Sequence, residues 1–194
     1  MSAILESPGK VPKMRLLSVE IYDSMIRNGI LNENDSVELL NGTIIEKMPK
    51  GTKHASVTRL ITRYFYRIFN DEVVIQVQDP IRLDDFSETE PDIVLARADA
   101  NNYTERHPMP EDILLIIEVS DSTLYFDRNE KGLAYSRAGI RQYLLVNVEN
   151  NTIEDYRNPG DDGYGMKQTY QTGDKFSLLA FPTIEVAVED FLQG

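Results

Sequence analysis

Apolar residues recur along the chain in two periods, and the switches between them mark out the elements. Leu17, Ile21, Met25 and Ile26 share one side of a 3.6-residue repeat that opens at Ser18 and stops at Gly29, which predicts a short amphipathic helix. Ser36 to Leu40 and Thr43 to Met48 flank Asn41-Gly42, a pair suited to the positive φ angles of a tight turn, so an antiparallel hairpin is expected there. From Thr52 to Phe69 the residues Val57, Leu60, Ile61, Tyr64, Phe65 and Ile68 keep a helical period. Arg59, Arg63 and Arg67 recur at i, i+4 and i+8 on the opposite face. Strands are expected at Val73–Val77, Ile81–Leu83 and Asp92–Ala96. The uninterrupted run Ile113–Ile117, ahead of Glu118 and Val119, is the mark of a central strand covered on both faces. A second helix over Asp127–Ala138, closed by Gly139, then strands at Gln142–Val148 and Thr152–Tyr156 and a short piece at Ile184–Val188 complete the pattern. The order predicts an α/β fold with one mixed β-sheet flanked by helices, preceded by an N-terminal helix and a β-hairpin extension.

Length and composition narrow the class. At 194 residues, 41% hydrophobic and 27% charged, the chain suits a single globular domain over 1–194, with 1–14 expected to be a flexible N-terminal segment. The absence of cysteine removes disulfide scaffolds, thiolate metal sites and cysteine nucleophiles, and fits a reducing, cytoplasmic setting. Neither a signal-like amino terminus nor a membrane-length apolar run is present, so export and membrane insertion are not expected. A net charge of −12 argues against indiscriminate binding to polyanions. One segment departs from that average: between Lys47 and Asn70 there is no Asp or Glu, while Lys47, Lys50, Lys53, Arg59, Arg63 and Arg67 supply six positive charges. Such a segment is either the footprint of one face that meets a polyanion or a solvated helix face.

Several chemistries fall away at once. There is no phosphate-binding Gly-rich loop, no dinucleotide fingerprint and no nucleophile elbow, and His54 and His107 lack paired metal-ligand spacing. Carboxylates and lysines remain. Glu118 interrupts the most hydrophobic strand near its carboxyl end, where an ionised group needs a cation or a donor unless it has already reached solvent. Asp92 poses the same question on a neighbouring strand, although Pro91-Asp92 is also a common turn feature. Lys131 shares a helix face with Asp127, Ala134, Tyr135 and Ala138, the small and aromatic side expected to pack on the sheet, so it points inward and needs a partner. That partner is Glu118 at the strand end, or Asp127 four residues earlier; a third arrangement has the lysine snorkelling to the helix edge. Two carboxylates on adjacent strands and a lysine are what Mg²⁺-dependent phosphodiester hydrolysis requires, with the arginine-lined helix holding the nucleic-acid backbone.

Glu90-Pro91-Asp92, Ile117-Glu118-Val119-Ser120, Asp127-Arg128 with Lys131, and the stretch Ala138 to Tyr143 together resemble the bacterial putative restriction endonuclease family of the PD-(D/E)XK nuclease superfamily, abundant in photosynthetic bacteria. The likeness extends upstream through Glu38-Leu39 and His54, and covers about Leu17 to Val188. It implies a restriction-endonuclease-like core with Asp92 and Glu118 as metal ligands and Lys131 as the catalytic lysine. The superfamily pattern would put lysine at position 120, which is Ser120, so the lysine has moved to the following helix, as the family's own pattern allows. Glu38 is implied as an auxiliary acid near the metal, with His54 close by; for both, a structural role is the alternative.

The sequence therefore points to a DNA endonuclease using Mg²⁺, with Mn²⁺ as a substitute and no organic cofactor. Lys53, Arg59, Arg63 and Arg67 are expected to bind DNA, and a homodimer is expected by analogy with paired cutting of two strands. The rivals are a catalytically inactive nuclease fold that only binds DNA or protein, and a carboxylate-pair enzyme such as a glycosidase. The basic segment and inward lysine fit the glycosidase poorly.

Overall fold

The computed structural model describes residues 14–32, 34–69 and 71–192. The flexible segment expected at 1–14 lies outside these, apart from Met14. Helix α1 (Val19–Arg27) starts where expected, the Ser18 side chain accepting from the Ile21 N–H. Strands β1 (Val37–Leu40) and β2 (Thr43–Glu46) turn at Asn41 and Gly42, with φ of 51° and 74°. Helix α2 (Thr52–Ile68) buries Val57, Ile61, Tyr64 and Phe65 and exposes its arginines.

Strands β3 (Val73–Gln76), β4 (Ile81–Asp84), β5 (Ser87–Thr89), β6 (Ile93–Arg97) and β7 (Ile113–Ser120) follow. Next comes a continuous helical path of α3 (Leu124–Phe126), a π-helical turn (Asp127–Lys131) and α4 (Gly132–Arg137). Strands β8 (Gln142–Asn147), β9 (Thr152–Arg157), β10 (Met166–Gln171), β11 (Lys175–Leu178) and β12 (Phe181–Ala187) lead to α5 (Val188–Phe191).

The mixed sheet runs β10-β9-β8-β7-β6-β3, with β7 and β8 its parallel pair. Alternation along its central strands builds two cores. Ile93, Leu95, Leu115, Ile117, Leu144 and Val146 point to α2 and α5. Val94, Ala96, Ile116, Tyr143 and Leu145 point to α4 and to Leu40, Ile81 and Leu83. Each fully buried branched side chain contributes about 1.5–3 kcal/mol, which is why β7 tolerates no solvent face. The hairpin is more than an appendage: it belongs to a second sheet ordered β2-β1-β5-β4, and β11 pairs with β12 in a third. Strand β5 has no counterpart in the hydrophobic pattern because its three residues, Ser87, Glu88 and Thr89, are polar yet buried. What holds it is pairing with β1 and β4, together with the Ser87 hydroxyl accepting from the Asn41 N–H at 3.0 Å.

Candidate active site

Antiparallel pairing of β6 with β7 sets Ile93 opposite Ile117, which brings Asp92, just ahead of β6, beside Glu118. The two are laced through backbone: the Asp92 N–H donates to Glu118 Oε2 at 3.3 Å, and the Val119 N–H donates to Asp92 Oδ2 at 2.9 Å. The π-helical turn then carries Lys131 back over the strand end. Its Nζ lies 3.0 Å from Glu118 Oε1 and 3.1 Å from Glu38 Oε1, so β1 supplies a third carboxylate. The structure thus chooses among the partners open to Lys131: among the described residues its ion pairs are with Glu118 and Glu38, while Asp127 accepts from the Thr123 hydroxyl instead. Asp92, Glu118, Lys131 and Glu38 are 5%, 4%, 7% and 2% exposed, so none of the four is a solvated surface charge.

His54, in the first turn of α2, closes the other side. Its Nε2 lies 2.9 Å from Asp92 Oδ2, and the Thr58 hydroxyl donates to the His54 carbonyl at 2.9 Å. Two supporting groups had no clear signal in the sequence. The Tyr135 hydroxyl donates to Glu118 Oε1 at 2.7 Å, and Gln78 Nε2 donates to Asp92 Oδ1 at 3.1 Å. Tyr135 does follow Lys131 by four residues on the same face, which is the one pattern that could have found it. Gln78 comes from a loop with a φ of 60° and matches no pattern.

The charge balance is uneven. Burial pushes the Glu118 carboxyl above the ordinary range, and Asp92, Asp127 and Glu38 push the same way against the pull of Lys131. Burial also pushes Asp92 up, but the His54 contact, the Val119 N–H and Lys50 outweigh it and hold that carboxyl below its usual value. Lys131 loses hydration on burial, yet Glu118, Glu38 and Asp127 raise it, so its ammonium keeps its proton. Two buried acids, Glu118 and Glu38, thus share the buried Lys131, with Asp92 and Asp127 buried beside them, and this acidic cluster lies in a cleft of about 490 Å³ that also takes in Lys47, Lys50 and Tyr125. Lys53, Arg59, Arg63 and Arg67 lie exposed along α2, outside that cleft lining, and make no ion pair among the described residues.

The donors suit a hard divalent cation: they are oxygens, two of the carboxylates are joined through backbone, and positive charge is in deficit. Among the described residues no set of three or more His, Asp or Glu side chains is arranged to enclose an ion.

Comparison with known proteins gives a family and a fold. Residues 19–189 match the family model described as "Putative restriction endonuclease". No curated protein matches the sequence. Among solved structures, a putative nuclease belonging to DUF820 from Anabaena variabilis ATCC 29413 is similar with a TM-score of 0.63 at 15% identity, over 85% of this chain and 94% of that one.

Proposed function

We propose a specific nuclease function for this chain, which belongs to the Uma2 family, described as "Putative restriction endonuclease". The reading is a DNA endonuclease that hydrolyses phosphodiester bonds with a divalent metal at Asp92 and Glu118. The observation that carries it is Lys131 Nζ held between Glu118 and Glu38, at 3.0 and 3.1 Å, beside Asp92 at the base of one cleft. A structural ion pair would be satisfied by one acid; the second acid at Lys131, with Asp92 laced to the first, makes a negative cluster that a divalent cation would balance.

Each residue has a role in that reading. Mg²⁺ or Mn²⁺, when bound, supplies a polarised phosphate oxygen and a more acidic water. Lys131, kept protonated at Nζ, offsets the charge that builds on the phosphate oxygens in the transition state. Glu38 acts as the auxiliary acid that shares Lys131 with Glu118, and Tyr135 fixes Glu118 Oε1. His54 and the Val119 N–H both engage Asp92 Oδ2, so Oδ1 is left with Gln78 and, at 3.7 Å, Lys50. The exposed line of Lys53, Arg59, Arg63 and Arg67 serves the DNA backbone. The same reading carries a cytoplasmic location and, for paired cuts in a duplex, a homodimer. No described helix is long and apolar enough to cross a membrane.

Cleavage of supercoiled plasmid at low salt with Mg²⁺, Mn²⁺ or EDTA tests it, alongside Glu118→Ala. Lys131 keeps Glu38 in that variant, and its thermal unfolding, measured beside the native protein, checks that the fold is retained. Nicking that needs metal and drops below about one hundredth of the native rate in the variant is the expected result. No nicking, or equal nicking by both proteins, would favour a nuclease fold that binds without cutting.

A further inference from the structure

Resting on the nuclease reading, we infer that the cleft takes a single strand of DNA, free or peeled from a duplex, with a base stacked on Tyr125. The depth of the chemistry is the first reason. The groups that would act on the scissile phosphate, directly or through the metal, are Asp92, Glu118, Lys131 and Glu38, each at most 7% exposed, so that phosphate must enter the cleft. A duplex is a stiff rod whose backbone reaches a protein surface as part of a broad face.

The narrowness of the entrance is the second. One lip is the link between β2 and α2, the other the link between β7 and α3, and they approach so closely that a Cβ added to Gly51 would lie 3.0 Å from Asp121 Oδ2. At about 490 Å³ the space over the buried acids is on the scale of a nucleotide.

The chemistry of the lips is the third. Tyr125 is 76% exposed on one lip and Met48 61% exposed on the other, both lining the same cleft as the buried acids. A track for phosphates alone has no use for a bare aromatic ring and a thioether. Aromatic platforms beside a few cations are how proteins hold unpaired strands, because every base offers a π-face. The cations at the rim are correspondingly few: Lys47 is engaged by Glu90, and the exposed Lys50 lies 3.7 Å from Asp92 Oδ1. The backbone that carries Tyr125 is held, since Asn129 Nδ2 donates to its carbonyl at 2.8 Å.

Binding of a short single strand, of the same sequence as a blunt duplex, and of that duplex with a splayed arm is followed by anisotropy in Ca²⁺, and cutting in Mg²⁺ or Mn²⁺. A 2-aminopurine in the strand reports stacking. The single strand and the splayed arm are expected to bind and be cut in preference to the blunt duplex. Tyr125→Ala should weaken the single strand roughly five- to a hundredfold and abolish the stacking signal, while Tyr125→Phe retains both. Because Tyr125 is exposed, the alanine variant should unfold at the native temperature. A blunt duplex bound and cut as well as the strand, or undiminished binding by Tyr125→Ala, overturns the single-strand assignment and leaves the nuclease reading standing. A protein that neither binds nor cuts any of the three removes the nuclease reading and this inference with it.

Discussion

A buried ammonium must find its compensation wherever the fold brings it, and Lys131 takes it from two strands 13 and 93 residues away in sequence, through Glu118 and Glu38. Removing either acid leaves Lys131 the other; removing the lysine leaves two adjacent buried acids, the costlier error. Glu88 shows the opposite case, an acid inside the fold without such a partner. Burial pushes its carboxyl from 4.5 to about 7, with Asp23 and Glu90 adding to the rise and Arg82 opposing it. A raised acid keeps its proton in the native state after the unfolded chain has lost it, so the contribution to stability falls as pH rises from about 4.5 to about 7. Glu88→Gln removes that dependence. The variant is expected to match the native protein near pH 4.5 and to be more stable, by on the order of 2 kcal/mol, at pH 8. Thermal unfolding at the two pH values checks this; a variant equally stable or weaker at pH 8 would show that the carboxylate is offset by interactions its amide cannot make.

The elements that carry the site depend on two local departures from regular backbone. One is the π-helical turn Asp127–Lys131, clamped to β9 by Arg128, whose Nε and Nη2 donate to Glu154 at 3.0 and 2.9 Å. The other is the turn at Gly42, which lets β1 present Glu38. There φ is +74°, and a Cβ would lie 2.5 Å from Leu16 Cβ, so strain and clash coincide. Gly42→Ala is expected to destabilise the protein by about 1–3 kcal/mol, seen as a lower midpoint in chemical denaturation; an unchanged midpoint would mean that the hairpin is not part of the cooperative fold. Both the hairpin and the inward phase of Lys131 were legible in the sequence, because Asn41-Gly42 and the face shared with Ala134 and Tyr135 are local signals. Asp92 and Glu118 were legible as charges set against apolar strands. The π turn was not, since its helical spacing differs from an ordinary helix by one residue. Nor was β5, whose polar residues are buried only through the strands on either side. Glu38 was marked only through the family resemblance, because its meeting with Lys131 is a tertiary event that no spacing encodes.

At the scale of the molecule, a nuclease of net charge −12 would need a local positive face to hold a polyanion, and segregation of charge along α2 would supply one. α2 starts at the cleft with His54 and then carries Arg59, Arg63 and Arg67 away from it, the last about 20 Å further along at 1.5 Å per residue. Its other face is anchored by Ile61 and Phe65 in the core, so the arginines stand on a rigid element and their removal costs little packing. Replacing all three by alanine should leave thermal stability close to native and weaken single-strand binding at low salt. Every phosphate of a single strand that the protein ceases to neutralise lowers the dependence of log K on log salt by about 0.7, so removing three arginines that each pair with one flattens the slope by about 2. Cutting at saturating DNA should be unchanged, because none of the three lines the cleft. Titrations across a range of salt separate this from the solvated-face alternative, under which affinity and slope both stay at their native values and the DNA path must leave the cleft in another direction.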